Sequence, residues 1–81
     1  MIDTAGVLLK CAQFGKSATR QRMVIVKELS SSKNSISAYD LLAQLQKQGY
    51  AFNISTIYRV LDFWIELGLI HKIESNNTYL A

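Results

Sequence analysis

The sequence contains no proline, a single cysteine (Cys11) and a single histidine (His71). With one thiol, no disulfide can close within the chain, and a cysteine-rich zinc module cannot be assembled from it. A closed zinc site takes four protein ligands, which one cysteine and one histidine do not supply. Long apolar runs are missing too. Lys10, Lys27, Asp62 and Glu66 interrupt every stretch approaching the roughly 18 residues of a membrane span. The N-terminus lacks the basic start and apolar run of a signal peptide, so the expected compartment is the reducing cytoplasm, with no membrane partner. There is no glycine-rich phosphate loop, and His71 has no serine or cysteine near it in a nucleophile context. No two carboxylates share a helical face in a catalytic arrangement. Enzyme chemistry is not expected.

What is present suits one small domain over residues 1–81. Of the residues, 49% are hydrophobic and 19% charged, a balance that supports a core and lies outside the range of disordered chains. Nine Lys and Arg against six Asp and Glu leave a formal charge of +3. That charge is compatible with an anionic partner and does not by itself require one. In the absence of proline, glycines and capping residues must punctuate the chain. Gly15, Gly49 and Gly68 each follow an apolar-periodic stretch, where a left-handed residue commonly ends a helix. They divide the chain into helical segments near 3–14, 18–29, 38–48 and 54–67, with a tail over 69–81.

Ser37 and Asp40 have the spacing of a capping box, and Ile36 and Leu41 stand at the positions of a hydrophobic staple. Asn53 caps the following segment, with Phe52 and Ile57 in the equivalent places. Only residues 49–53 separate the two segments, which makes them neighbours in a helix-turn-helix. Beyond Gly68 the period shortens. Residues 69–74 alternate, Ser75, Asn76 and Asn77 are turn formers, and Thr78, Tyr79 and Leu80 favour a strand, so the tail reads as a hairpin. Residues 30–35 form the longest polar loop. The expected fold is α+β and mostly α: a winged helix-turn-helix of four helices followed by a two-stranded antiparallel wing.

In segment 54–67, Ile57, Val60, Leu61, Trp64 and Leu67 make a broad apolar face, leaving Ser55, Thr56, Arg59, Asp62 and Glu66 on the other. Phe63 falls within that polar arc and should be covered by a neighbouring element. Lys16, Arg20, Arg22 and Lys27 lie around segment 18–29, Arg59 on segment 54–67 and Lys72 in the hairpin. In a winged helix these surround one surface, and segment 54–67 is the element that enters a DNA major groove. Arg59 suits base reading because its planar fork matches O6 and N7 of guanine. Thr56 and Tyr58, close to the helix start, suit phosphate contacts, and Tyr39 suits the backbone or a thymine methyl. Core packing with the hydroxyl at the rim is an equally open reading of Tyr39 and Tyr58. A second functional class is a winged helix serving as a protein-interaction module, recognised through Phe63, Trp64 or the wing.

Thr19-Arg20-Gln21-Arg22, then residues 36–42 (ISAYDLL), then Thr56-Ile57-Tyr58-Arg59-Val60-Leu61 together resemble the DNA-binding domain of the ferric uptake regulator (Fur) family. The continuation through Asp62-Phe63, residues 68–75 (GLIHKIES) and Asn77-Thr78-Tyr79 looks similar to the zinc uptake regulator branch of that family. The resemblance implies a winged-helix repressor that binds double-stranded operator DNA as a metal-loaded homodimer, with zinc or iron as the metal. It implies that Arg59 and Tyr39 read bases while Thr56 and Tyr58 hold the phosphate backbone; Arg22, Ser55 and Lys72 complete the expected DNA-binding set. It also implies that His71 is one ligand of a regulatory metal whose other ligands lie in a dimerisation domain beyond residue 81, so that the chain corresponds to the DNA-binding half. Ser17 departs from the pattern, because relatives often carry an arginine there.

Overall fold

The computed structural model describes residues 3–81. The element order is α1 (Thr4–Gln13), α2 (Arg20–Ser31), β1 (Ile36–Ser37), α3 (Ala38–Lys47), α4 (Ile54–Glu66), β2 (His71–Ile73) and β3 (Thr78–Leu80). All four helices start on a side-chain oxygen that accepts a first-turn backbone N–H. Asp3 Oδ1 accepts from Gly6 (2.9 Å) and Thr19 Oγ1 from Arg22 (3.3 Å). Ser37 Oγ accepts from Asp40 (3.1 Å) and Asn53 Oδ1 from Thr56 (2.8 Å). Each satisfies a donor that the helix start would otherwise leave without a partner. Gly49 and Gly68 take φ of +96° and +78° after α3 and α4. A Cβ at either position would meet nothing within 4 Å. The demand for glycine there is therefore one of backbone conformation and not of space.

The expected helices are present, with two differences at their edges. α2 runs through Ser30 and Ser31, which the sequence placed in the loop. Their hydroxyls donate to the carbonyls of Lys27 (3.0 Å) and Glu28 (2.7 Å), so the serines extend the helix by two residues while bonding back to the preceding turn. The wing is also larger than the expected two strands. Ile36 and Ser37, which look like a staple and a cap, additionally form a short strand whose residues pair with Tyr79 and Thr78. The sheet is three-stranded and antiparallel in the order β1-β3-β2, with His71, Lys72 and Ile73 opposite Leu80, Tyr79 and Thr78. Asn77 closes the β2–β3 turn at φ 54°, a conformation that asparagine tolerates better than most residues.

The core sits where α2, α3 and α4 meet, with Trp64 at 0% exposure among Ile25, Leu29, Leu41, Leu45, Ile57 and Leu61. The indole N–H of Trp64 donates to the carbonyl of Arg22 at 3.0 Å. Ile36 and Tyr79 bring the sheet onto the same core, and α1 joins it through Val7 and Cys11. Among the described residues no helix is long and apolar enough to cross a membrane.

Because α4 contributes the largest share of the core, its cap should be measurable in global stability. Asn53→Ala should destabilise the domain by about 1 kcal/mol and Asn53→Asp by much less, read by urea denaturation.

Candidate nucleic-acid interface

The exposed residues of α4 are Ser55, Tyr58, Arg59, Asp62 and Glu66. At about 100° per residue they form one solvent stripe along the helix. Thr56 does not belong to it. It is 9% exposed and lies on the flank beside Phe63, seven residues and about two turns away. Tyr58, unlike Thr56, shares the open face with Ser55 and Arg59.

Phe63 is covered, as its position in the polar arc required. The guanidinium of Arg22 lies 3.7 Å from its ring centre, and Phe63 is 8% exposed. The same guanidinium donates to the carbonyl of Ser17 at 2.8 Å. Arg22 is thus engaged on both sides, and its immediate role is to hold α2 and the preceding loop against α4. With Phe63 and Trp64 both buried, neither offers a surface to a protein partner; of the features named for an interaction module, only the wing remains exposed.

Tyr39 and Tyr58 are not core residues. They are 64% and 41% exposed, and their rings meet edge to face with centroids 6.5 Å apart and an interplanar angle of 81°. Tyr39 is the second residue of α3 and Tyr58 lies in the second turn of α4. The rings therefore bridge the corner between the two helices, one residue from the exposed Arg59.

Lys72 stands in β2, with Nζ 3.7 Å from a carboxylate oxygen of Glu74. Both side chains reach water, so the pair is weak and leaves the ammonium available to another anion. Tyr79, opposite Lys72, carries no functional assignment from the sequence. Burial raises its phenol above the ordinary tyrosine value, opposed by the charge of Lys72 and reinforced by Tyr58, Asp62 and Glu74. Tyr79 is itself buried in the core at 3% exposure, so the central strand ties the wing to the helices. That placement depends on strand pairing and left no signal in the local sequence.

His71 opens β2 and is exposed. Among the described residues no three His, Cys, Asp or Glu side chains are grouped to hold a metal ion, and Cys11 is buried in the core. These residues by themselves do not fit a bound metal.

Residues 13–79 match the Ferric uptake regulator family. The chain belongs to the Fur family. Over 70 residues it is 41% identical to the "Zinc uptake regulation protein" of Escherichia coli (strain K12), and equally to that of Shigella flexneri. Each match covers 86% of this chain and 41% of the relative, so the chain spans about two fifths of these curated proteins. A solved "Zinc Uptake Regulator Complexed With Zinc AND DNA" superposes with a TM-score of 0.87 at 39% identity, covering 94% of this chain and 51% of that one. The "Crystal structure of holo XcZur" gives 0.83 at 30% identity, over 95% and 52%. The similarity to zinc uptake regulators extends over most of this chain, and the Fur-family fold accounts for the winged helix described above.

Two outcomes follow from these placements. Arg22→Ala should cost about 1–2 kcal/mol in urea unfolding by uncovering Phe63, whereas Arg59→Ala should stay within about 0.5 kcal/mol. The raised phenol of Tyr79 favours the protonated folded state. Its contribution is intact below the ordinary tyrosine range near 10 and is lost as pH climbs through that range toward the higher folded value. Wild type should therefore lose more stability in alkali than Tyr79→Phe, as measured by thermal unfolding across pH.

Proposed function

We propose that this chain is the DNA-binding domain of a metal-responsive transcriptional repressor, and that α4 is the helix that reads operator DNA. The observation that carries the reading is the α4 stripe. The apolar face of the helix is committed to the core, while Arg59 and Tyr58 are exposed beside the exposed Tyr39, and Lys72 is exposed on the wing. A helix-turn-helix presents its second helix in this manner, with base-reading groups near its N-terminal half.

In this reading Arg59 forks onto O6 and N7 of a guanine, and Tyr39 meets a neighbouring base. Ser55 and Tyr58 hold phosphates from the helix start, with Thr56 contributing from its largely buried position. Lys72 takes a phosphate from the wing. Arg22 serves by fixing α4 against α2. The likeness to a zinc uptake regulator complexed with zinc and DNA supports the same choice of partner.

The longer protein would then act in the cytoplasm as a homodimer whose zinc, or iron, controls operator binding. His71 would be one donor to that metal together with ligands outside the residues described here. Its role is regulatory and not enzymatic, and residues 1–81 form its DNA-binding unit. A single domain engages one half-site and lacks the avidity of a dimer, so the isolated chain should bind weakly.

The test is binding of the 81-residue chain to an AT-rich palindromic duplex and to a scrambled duplex at two salt concentrations. Arg59→Ala should lose about 1–3 kcal/mol of discrimination at one base position. Equal weakening on every sequence would show that Arg59 contacts only the backbone.

A further inference from the structure

Tyr39 and Tyr58 project from firmly held backbone. Tyr39 follows the Ser37 cap by two residues, and Ser37 is itself pinned by pairing with Thr78. Tyr58 lies one turn beyond the start of a helix capped by Asn53. What remains free is side-chain rotation. Tyr39 is the more exposed of the two, and its hydroxyl makes no hydrogen bond within the described residues; the ring of Tyr58 is the aromatic partner it meets. An edge-to-face contact has a preferred geometry, set by the positive ring edge and the negative ring face, so it selects among rotamers of Tyr39.

We infer that Tyr58 is a positioning residue for Tyr39, the two rings acting as one preorganised recognition unit across the corner between α3 and α4. The inference rests on the DNA-binding reading and deepens it. The hydroxyl of Tyr58 contacts a phosphate, which is a sequence-independent task. Its ring holds Tyr39 in the rotamer that meets a base, which bears on sequence. Ordering Tyr39 before binding spares the complex the entropy of immobilising an exposed side chain. The two parts of one residue thereby separate experimentally.

The experiment has two arms, both on the full 81-residue chain. In the free protein, NMR should show ring-current-shifted protons on Tyr39 that return toward free-tyrosine values in Tyr58→Ala and persist in Tyr58→Phe; Tyr39 shifts unaltered by Tyr58→Ala would overturn the inference without touching the DNA-binding reading. In the second arm, affinities are measured for a duplex enriched by the domain from a randomised pool and for its scrambled version. Tyr58→Phe should weaken both duplexes equally and leave their ratio unchanged. Tyr58→Ala should also reduce the ratio, by about two- to tenfold. Tyr39→Ala should reduce the ratio at least as far, and the double variant should go no further than Tyr39→Ala. A double variant showing the product of the single effects, or Tyr58→Ala matching Tyr58→Phe on the ratio, would overturn the inference. A wild type with no preference for the enriched duplex would overturn the DNA-binding reading and this one with it. The rings are largely outside the core, so an unchanged melting temperature across the series shows that the effects are not unfolding.

Discussion

The orientation of α4 depends on one buried residue. Trp64 is fully enclosed, and its indole N–H is committed to the carbonyl of Arg22 in the first turn of α2. A buried indole without that acceptor would carry the cost of an unmade hydrogen bond, so α2 and α4 cannot rotate relative to one another without losing it. Arg22 reinforces the same junction by lying over Phe63 and reaching back to Ser17. The neighbouring pair Phe63 and Trp64 is itself packed edge to face, with ring centres 4.9 Å apart. Everything on the opposite side of α4 is placed by this lock, including which residues face solvent.

The consequence is a helix with strictly divided labour. Its buried side, from Thr56 and Phe63 round through Ile57 and Leu61, belongs to the fold, and the remaining stripe carries Ser55, Tyr58, Arg59 and Asp62 outward. The wing is tied to the same frame by Tyr79, which sits in the central strand, pairs with Ile36 on one side and Lys72 on the other, and points into the core. Through that strand, the wing that carries Lys72 is anchored to the same core as α4.

Much of the fold was legible because its signals are local. The caps at Ser37 and Asn53 and the turns at Gly49 and Gly68 depend on residues within a few positions of each other, and the structure places each where the spacing required. β1 was hidden, because two residues already occupied as staple and cap show no strand period, and their partners lie some forty positions away. The extension of α2 was hidden because serines read as loop formers until their hydroxyls are seen donating to the preceding turn. Among the candidate site residues, Arg59, Ser55 and Tyr58 stand exposed on α4, as a single-helix projection allows. Arg22 and Thr56 differ because a charge and a hydroxyl beside an aromatic can face either water or a neighbouring helix.

The sequence by itself determined the four helices, the hairpin, the family membership carried by motifs from Thr19 to Tyr79, and the exclusion of an internal disulfide. These rest on residue identity and short-range spacing. Only the tertiary structure decided that Arg22 serves packing, that Thr56 turns inward, that Tyr39 and Tyr58 stand outside the core against each other, and that Ile36 and Ser37 complete the sheet. Each of these depends on which surface a second element covers, and helix packing and strand pairing set that between residues far apart in the chain.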